Sequence, residues 1–530
     1  MNKVNIKRPA GWKLILFIGM CVMMLLLFQY LLLIPFNLHS FAFLAELALF
    51  LLGLFFCFSG TISLAAVNKG KFSVKQLIAP LVVLLLFLVG SLIGSPLLGG
   101  LGNYKNQSDI TEVEFESIPQ FDKTQVQLVD KNTAMQLGDR VFGTLGSDEV
   151  SQYEMGEDWV QISINGNMSR VTPIEFASMF NYFVRKTTPG YVIVDCNSGD
   201  AKLVRSEGLK YMKSSYFSHD LCRRLFFFDP TAMYGEPKFE LDDSGKPYWV
   251  APIYSVTWVE KTRDVKGVTI LDPVDGSCTY YDKKDVPAWV DNVYPVEVIY
   301  RQFAQTKRYE NGLFNFSKKG IVEFTDDYAY VQFDGNVHIY TGVTSVGKDE
   351  SNVGFAYVDL RDGGISYIRR AGAEEYSARS SAEGALQQYH YSAIFPSMVN
   401  VAGKPTYFMG LVDGANLIKS YAFVSYENYQ NVATGITVEE AYANYLRLYE
   451  GEQEPVVTET TEASFLVSQV EKIVRDGNTL VVMRDDSIAS KIYYYDMSDG
   501  DLRASFIKEG ASIKALCDEE GRIYEFISIQ

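Results

Sequence analysis

Three long apolar runs fill the first hundred residues of this 530-residue chain, and they constrain its architecture more than any other feature. The runs are Leu14–Phe36, Phe41–Val67 and Leu77–Gly100. A helix needs about 20 apolar residues to cross roughly 30 Å of hydrocarbon, and each run is long enough. The sequence therefore predicts three transmembrane helices, at about residues 14–36, 41–67 and 77–100, that anchor the chain in a lipid bilayer.

The basic residues near these runs predict an orientation. Cytoplasmic loops of membrane proteins carry an excess of Lys and Arg. Such residues precede the first run and separate the second from the third, at Lys3, Lys7, Arg8, Lys13, Lys69, Lys71 and Lys75. We therefore expect a multi-pass protein of the cell membrane, with a cytoplasmic N-terminus and an extracellular C-terminal domain.

The charge of the remaining chain limits its partners. Outside the first hundred residues there are 41 basic and 63 acidic residues, which is a net charge of −22. Such a surface repels nucleic acid, so nucleic-acid binding is not expected. We interpret this negative charge as a feature that keeps the protein in solution.

Two features stand out within the apolar runs. Gly90 and Gly94 form a GxxxG pattern, which lets helix backbones approach closely. Packing among the three helices is the favoured interpretation, and a homo-oligomer through Gly90 and Gly94 is the alternative. Glu46 is the one charged residue inside the predicted spans, and its role is left open between an interfacial position and a functional one.

The sequence of the rest of the chain predicts an α+β fold, and a strand–turn–strand motif occurs in it four times. In each copy a β-prone run meets Asp, three residues and Gly, at Asp195–Gly199, Asp272–Gly276, Asp359–Gly363 and Asp496–Gly500. Asp can hydrogen-bond the turn backbone, and Gly accepts a positive φ where the second strand begins. A longer repeat accompanies these hairpins, because Gly-Lys-Pro precedes an apolar run at both Gly245 and Gly403. Two diverged copies of one β-rich unit explain it most economically.

Composition divides this region further. We expect α+β parts at 101–310 and 311–449, a Glu- and Thr-rich linker at 450–462, and a small β-barrel of the OB or SH3 type at 463–530. Cap residues predict helices from Thr172 to about Arg185 and from Thr437 to Gly451.

Few residues suggest catalysis. His219 and Cys222 stand three apart, but two ligands do not complete a zinc site. Ser345 and Lys348 match S-x-x-K, but Gly347 breaks the helical turn that serine–lysine chemistry needs. No catalytic, cofactor-binding or metal residue is therefore assigned. A carboxylate pair cannot be read from acids scattered over so long a chain.

The cysteines outside the apolar runs leave their oxidation state open. Cys196, Cys222, Cys278 and Cys517 permit two disulfides in three pairings, or four free thiols. A domain of this size can bury a sufficient core without disulfides.

The Asp–Gly hairpins around Tyr191–Val204 and Val268–Tyr281 resemble the closing strands of PepSY-type modules. The chain is also similar to a family of membrane-anchored proteins of low-GC Gram-positive bacteria that has no established activity. The phrases Tyr340–Gly347, Ser380–Gly384 and Pro405–Phe408 carry that likeness. The PepSY resemblance implies a binding or inhibitory module that acts on envelope peptidases or polymers, with no catalytic residue.

These observations predict a non-enzymatic, membrane-anchored protein that binds or scaffolds an envelope protein or wall polymer outside the membrane, without a cofactor. A PepSY-like regulator of an extracellular peptidase is the first alternative. An envelope hydrolase with an unrecognised carboxylate pair is the second. Two carboxyl groups about 5–10 Å apart in a cleft would favour the hydrolase.

Overall fold

The computed structural model describes residues 11–58, 78–93, 101–105, 107–123, 126–256, 263–333, 335–346, 351–450, 461–475, 478–485, 491–497, 501–517 and 521–529. The chain forms two compact units, Met1–Leu446 and Arg447–Gln530. Antiparallel β-sheets make up most of the described structure, and helices are fewer.

The described part of the apolar N-terminal segment contains three helices. They are α1 (Gly11–Leu32), α2 (Phe41–Phe58) and α3 (Ile78–Ile93). α1 ends where Leu33 takes a φ of +52°, and α3 has 16 residues, about 24 Å at 1.5 Å per residue. Among the described residues, no helix combines the length and the apolarity that a bilayer crossing requires. This finding contradicts the predicted three-helix anchor and the multi-pass membrane location that depends on it.

The link between α1 and α2 packs against the folded part of the same unit. The Phe36 amide donates to the carbonyl of Pro230 over 2.8 Å, and the Arg223 guanidinium lies 4.2 Å from the ring centroid of Tyr30. Glu46 accepts a 2.6 Å hydrogen bond from Gln29 Nε2, so it joins α2 to α1.

Four modules follow, each a helix succeeded by an antiparallel sheet. The first has a sheet in the order β2-β4-β5-β6, with β3 also paired to β4, and α5 packs on β5 and β6. Its elements are α5 (Lys131–Phe142), α6 (Ser147–Val150), β2 (Tyr153–Met155), β3 (Val160–Ile164), β4 (Asn167–Phe176), α7 (Met179–Arg185), β5 (Thr188–Asp195) and β6 (Ala201–Leu209). Before it lie α4 (Gly102–Lys105) and β1 (Ile110–Glu112).

The second module shares its core with the first. Its sheet runs β10-β9-β8-β7. The fully buried Trp249 and Phe239 pack against Leu225 of its helix and against Val171 and Tyr191 of the first module. Its elements are α8 (Leu221–Phe228), β7 (Lys238–Leu241), β8 (Pro247–Val256), β9 (Arg263–Leu271) and β10 (Cys278–Asp282).

The third module shares a second core with the second, formed by Val268 and Val250 on one side and Phe303 and Ile339 on the other. β13 and β14 are its central strands, and β1 pairs with β15 in parallel. Its elements are α9 (Val296–Tyr309), β11 (Val322–Phe324), β12 (Ala329–Phe333), β13 (Asn336–Ser345), β14 (Ser351–Asp359), β15 (Ile365–Ile368) and β16 (Gly372–Ala373).

The fourth module joins the third through a buried polar contact, in which Tyr340 donates a 2.8 Å hydrogen bond to Glu375. Its sheet runs β17-β19-β20-β21, with β18 also paired to β19. Its elements are α10 (Glu375–Ala385), β17 (Ser392–Ala393), β18 (Ser397–Val401), β19 (Lys404–Val412), β20 (Ile418–Ser425), β21 (Val432–Gly435) and α11 (Val438–Glu450). These shared contacts hold the four modules in one unit.

Three of the four predicted Asp–Gly turns have the same geometry. The glycine amide donates to the aspartate carbonyl in Asp195–Gly199, Asp272–Gly276 and Asp359–Gly363, over 3.0, 2.9 and 3.0 Å. The glycines have φ values of +74°, +74° and +79°. Each aspartate side chain also accepts from the amide two residues on. The fourth turn, Asp496–Gly500, extends beyond the described residues.

One predicted helix is wrong and another is right. Residues from Thr172 to Phe176 belong to β4, and a helix begins only at Met179. Both faces of β4 are buried, and Pro173 lies between the pairings with β3 and β2, where a strand does not need its missing amide. At α11 the prediction holds, because Thr437 Oγ1 accepts from the Glu440 amide over 3.1 Å.

The C-terminal unit contains two three-stranded antiparallel sheets around one core. They run β22-β26-β27 and β23-β24-β25. The predicted small β-barrel of the OB or SH3 type stays a prediction, and the predicted linker falls largely on residues outside the described ranges. The strands are β22 (Thr461–Leu466), β23 (Gln469–Arg475), β24 (Asn478–Asp485), β25 (Lys491–Asp496), β26 (Ser512–Cys517) and β27 (Ile523–Ile529).

Candidate functional site

A cleft of about 450 Å³ lies where the first, third and fourth modules meet. Its walls come from within residues 127–131, 158–170, 327–330 and 394–397, and Lys238 and Asn292 of the second module complete it. Pockets of roughly 300–1,000 Å³ with a few convergent polar groups are typical ligand sites. The cleft is therefore the candidate functional site.

Arg170 is the most unusual residue of the cleft. It lies on β4 and is only 5% exposed, although its side chain lines the cavity. Nη1 donates to the carbonyl of Trp159 over 3.1 Å, and the guanidinium lies 5.2 Å from the ring centroid of Tyr330. Nε is buried and has no hydrogen-bond partner within the described part of the chain. Arg170 is thus a buried cation that forms no ion pair with any described residue.

Two acids that line the cleft with Arg170 are engaged elsewhere. Asp130 caps α5 by accepting a 2.8 Å hydrogen bond from the Thr133 amide. Asp158 forms a 2.7 Å ion pair with Lys213. Burial disfavours the Asp158 carboxylate, but the hydrogen bond and charge of Lys213 outweigh burial and lower its pKa. Neither acid compensates the Arg170 charge by direct contact.

The rim of the cleft carries three further charges. Lys131, at the start of α5, is exposed, and Lys238 on β7 is half-buried. Neither forms an ion pair with a described residue. Asp327 is exposed on the loop before β12, and its carbonyl accepts hydrogen bonds from Tyr300 and Thr341, which fix the loop. The uncommitted charges are therefore predominantly positive.

Aromatic side chains form the remaining wall. Tyr328 and Tyr330 pack edge to face with ring centroids 5.4 Å apart, and burial raises the pKa of Tyr330. Phe395 faces them from the fourth module and is partly exposed. The cleft thus combines a positive group with apolar surface, an arrangement that suits a ligand with one charged and one apolar end.

A buried carboxylate pair lies close behind the cleft, in the second module. Glu240 accepts hydrogen bonds from the amides of Asp291 (2.9 Å) and Asn292 (3.2 Å), and Asp291 accepts one of 2.6 Å from the Ser163 amide. Burial raises the pKa of Glu240 to about 7. Burial, and next the neighbouring Glu240 charge, also raise the pKa of Asp291. Asn292 connects this pair to the cleft, because its side chain lines the cavity.

The residues that the sequence suggested for chemistry do not come together. His219 Nδ1 lies 3.1 Å from the Tyr182 hydroxyl, and the described residues contain no group of three or more potential metal ligands. Ser345 ends strand β13 instead of starting a helix, and Lys348 lies outside the described residues. Gly90 lies in α3 and Gly94 outside the described residues, so the predicted oligomer contact stays a prediction.

The four cysteines that could form disulfides are free thiols. Cys196 and Cys517 are buried, Cys278 is half-buried and Cys222 is exposed. The Cys196 thiol is fully buried and lies 3.4 Å from Gln161 Nε2. Of the alternatives that the sequence left open, the structure therefore has the free thiols.

The sequence interpretation missed Arg170, Tyr330 and the Glu240–Asp291 pair. Arg170 had one local signal, because it stands inside the β-prone run from Met168 to Phe176, whose other residues are mostly apolar. A charge at such a position is buried only if something pairs with it. The acids of the pair are 51 residues apart and had no such signal.

Comparison with protein-family models and with curated proteins finds no match to this chain. The cleft is therefore the feature of the described structure that bears on function.

Proposed function

We propose that this protein is a non-enzymatic binding protein that holds a ligand, or the end of a larger partner, in the cleft between its modules. The single observation that supports this proposal best is Arg170, a buried guanidinium that lines the cavity and forms no ion pair with any described residue. The partner would be a protein segment or a wall polymer, the two classes predicted from the sequence.

Burying the Arg170 charge costs free energy. A guanidinium remains protonated at all ordinary pH values, so Arg170 cannot relieve its burial by losing a proton. Burying an unpaired charge is unfavourable. A ligand that brings a negative charge to the guanidinium recovers part of this free energy on binding. The cleft is therefore prepared for a ligand at the expense of the stability of the free protein.

Binding explains the cleft better than hydrolysis does. A carboxylate-pair hydrolase needs two carboxyl groups that flank the substrate. Glu240 and Asp291 form a pair, but neither is among the residues that line the cleft, and both accept backbone hydrogen bonds. Within the cleft, Asp130 and Asp158 are held by a helix cap and by Lys213. These carboxylates serve the structure.

A peptidase regulator is a special case of the same proposal. Such a protein would use the cleft to hold a segment of the peptidase, and the PepSY resemblance implies a partner of that kind. The cleft alone supports binding and favours no particular partner.

The proposal is tested by screening a library of small polar fragments against the full-length protein by ligand-observed NMR. The blocked variant Asp327→Trp is screened in parallel, because Asp327 is exposed at the rim and a larger side chain there fills the cavity. We expect fragments that bind the natural protein and not Asp327→Trp, with unchanged circular dichroism. Fragments that bind both proteins equally, or none that bind at all, would contradict the proposal.

A further inference from the structure

We infer that the cleft recognises a carboxylate next to an apolar group, and that Arg170 binds this carboxylate through Nη2. The inference rests on the proposed binding function and names the chemical class of its ligand.

The geometry of the guanidinium leaves one nitrogen for a ligand. Nη1 of Arg170 donates to the Trp159 carbonyl, and Nε is buried without a hydrogen-bond partner among the described residues. Nη2 is the remaining donor, and a guanidinium N–H forms a strong charge-assisted hydrogen bond with a carboxylate. The guanidinium also lies 5.2 Å from the ring centroid of Tyr330, whose face stabilises the positive charge.

The surrounding charge favours an anion by a small margin. Lys131 and Lys238 line the same cavity as Arg170 and form no ion pair with any described residue. Lys213 neutralises Asp158, which leaves Asp130 and Asp327 as the acids of the wall. Three cations therefore face two acids in the cleft, and this excess attracts an anion.

Apolar surface for the rest of the ligand lies in the same cleft. Tyr328 and Phe395 line it and are partly exposed, so their apolar faces are available beside the charged groups. A sugar ring would need many hydroxyl and amide groups to hydrogen-bond it, and the neutral polar residues of the described wall are Gln127, Asn292 and Ser397. A carboxylate attached to an aliphatic or aromatic group satisfies both parts of the site. The C-terminus of a peptide, an acidic side chain beside an apolar residue, and a small organic acid share this chemistry.

The test uses a matched acid and amide. N-acetyl-phenylalanine carries a terminal carboxylate, and N-acetyl-phenylalanine amide replaces it by a neutral group of the same shape. Both are titrated into the full-length protein by calorimetry. We expect the acid to bind at least about tenfold more tightly, because hydrogen bonds to charged groups are among the strongest in proteins. A third probe, N-acetyl-aspartate blocked as its α-amide, presents only a side-chain carboxylate and separates the sources.

The variant Arg170→Met identifies the residue responsible. Methionine keeps an unbranched apolar side chain on β4 and removes the charge, so the acid should fall to within about twofold of the amide. The double variant Lys131→Gln and Lys238→Gln changes two side chains at the rim, away from the core. It provides an independent test if Arg170→Met does not fold. It should weaken the acid about threefold and leave the amide unchanged.

The outcomes separate this inference from the proposed function. Equal binding of acid and amide, or an acid preference that survives in Arg170→Met, would overturn the carboxylate inference while leaving the cleft as a binding site. Binding of inorganic phosphate but not of either carboxylate probe would overturn it as well. Failure of every probe, together with failure of the fragment screen, would remove both.

Discussion

Replacement of Glu240 by Gln should remove a large part of the pH dependence of stability. The Glu240 carboxyl is fully buried, and its pKa rises from an ordinary 4.5 to about 7 in the folded protein. Burial is the main cause, and the charge of Arg361 opposes it. The folded state therefore binds the proton more tightly than the unfolded state does. The stability that this proton contributes is complete below about pH 4.5 and is lost as the pH rises through 7.

The size of the effect follows from the same values. One pKa unit corresponds to about 1.4 kcal/mol, so this carboxyl should make the folded state on the order of 3 kcal/mol less stable at about pH 8 than at about pH 4.5. Gln cannot ionise, and its amide cannot accept both backbone hydrogen bonds that Glu240 accepts. Glu240→Gln should thus carry a constant penalty at all pH values. Asp291 should also ionise more readily in this variant, because the neighbouring negative charge is gone.

Urea unfolding at several pH values between about 4.5 and 8 measures this effect. All five tryptophans precede residue 447, so their fluorescence follows the first compact unit. The free energy of unfolding of Glu240→Gln, relative to the natural protein, should rise by on the order of 3 kcal/mol across this range. Glu323→Gln, at an exposed position of β11, is the control and should show no such trend. A difference between Glu240→Gln and the natural protein that stays constant with pH would refute the reasoning.

Three further predictions concern other side chains. Arg361 donates four hydrogen bonds of 2.7–3.0 Å to backbone carbonyls, so Arg361→Met should lower the free energy of unfolding by about 2–4 kcal/mol. Arg369 forms an exposed ion pair, and Arg369→Met should cost under about 1 kcal/mol. Equal losses in the two variants would contradict this prediction. Asp327→Asn should tighten binding of N-acetyl-phenylalanine about twofold at low salt, and an effect that persists at about 1 M salt would argue against an electrostatic origin. Cys222 is exposed and Cys196 is fully buried, so Cys222 should react with iodoacetamide well before Cys196 in the native protein. Peptide mass spectrometry measures the two rates, and similar rates would contradict the burial of Cys196.

Local signals predicted the turns and some helix ends. The Asp–Gly turns form as expected, because an aspartate side chain and a glycine with positive φ determine the loop with little outside help. The cap at Thr437 is correct for the same reason. The cap pattern at Thr172 is equally good by sequence, yet β4 is buried on both faces between β3 and β5, and sheet pairing overrides the local preference.

The apolar runs were misread because a hydropathy pattern gives no helix boundaries. α1 ends at Leu32 rather than at Phe36, where Leu33 leaves the helical conformation and Phe36 bonds the folded module. α3 has 16 residues, and the rest of its predicted 24-residue span lies outside the described residues. The sequence shows where apolar residues cluster, but not which of them a single helix contains.

The cleft could not be predicted because its residues come from distant parts of the chain. Gln127 and Ser397 line the same cavity, and only the packing of three modules brings them together. The free donor of Arg170 is likewise a property of its neighbours. Trp159 occupies one nitrogen, and the nearby acids are engaged elsewhere.

The central claim is that Arg170 is left uncompensated in the free protein for the use of a ligand. The most direct test is the free energy of unfolding of ligand-free Arg170→Met, measured by urea denaturation. Arg361→Met is measured beside it, because the Arg361 guanidinium donates four hydrogen bonds to backbone carbonyls. Arg170→Met should be as stable as the natural protein or more stable, since replacing buried charges by apolar groups is often neutral or stabilising. A loss of about 3 kcal/mol or more, comparable to that of Arg361→Met, would show that Arg170 supports the fold and would contradict the claim.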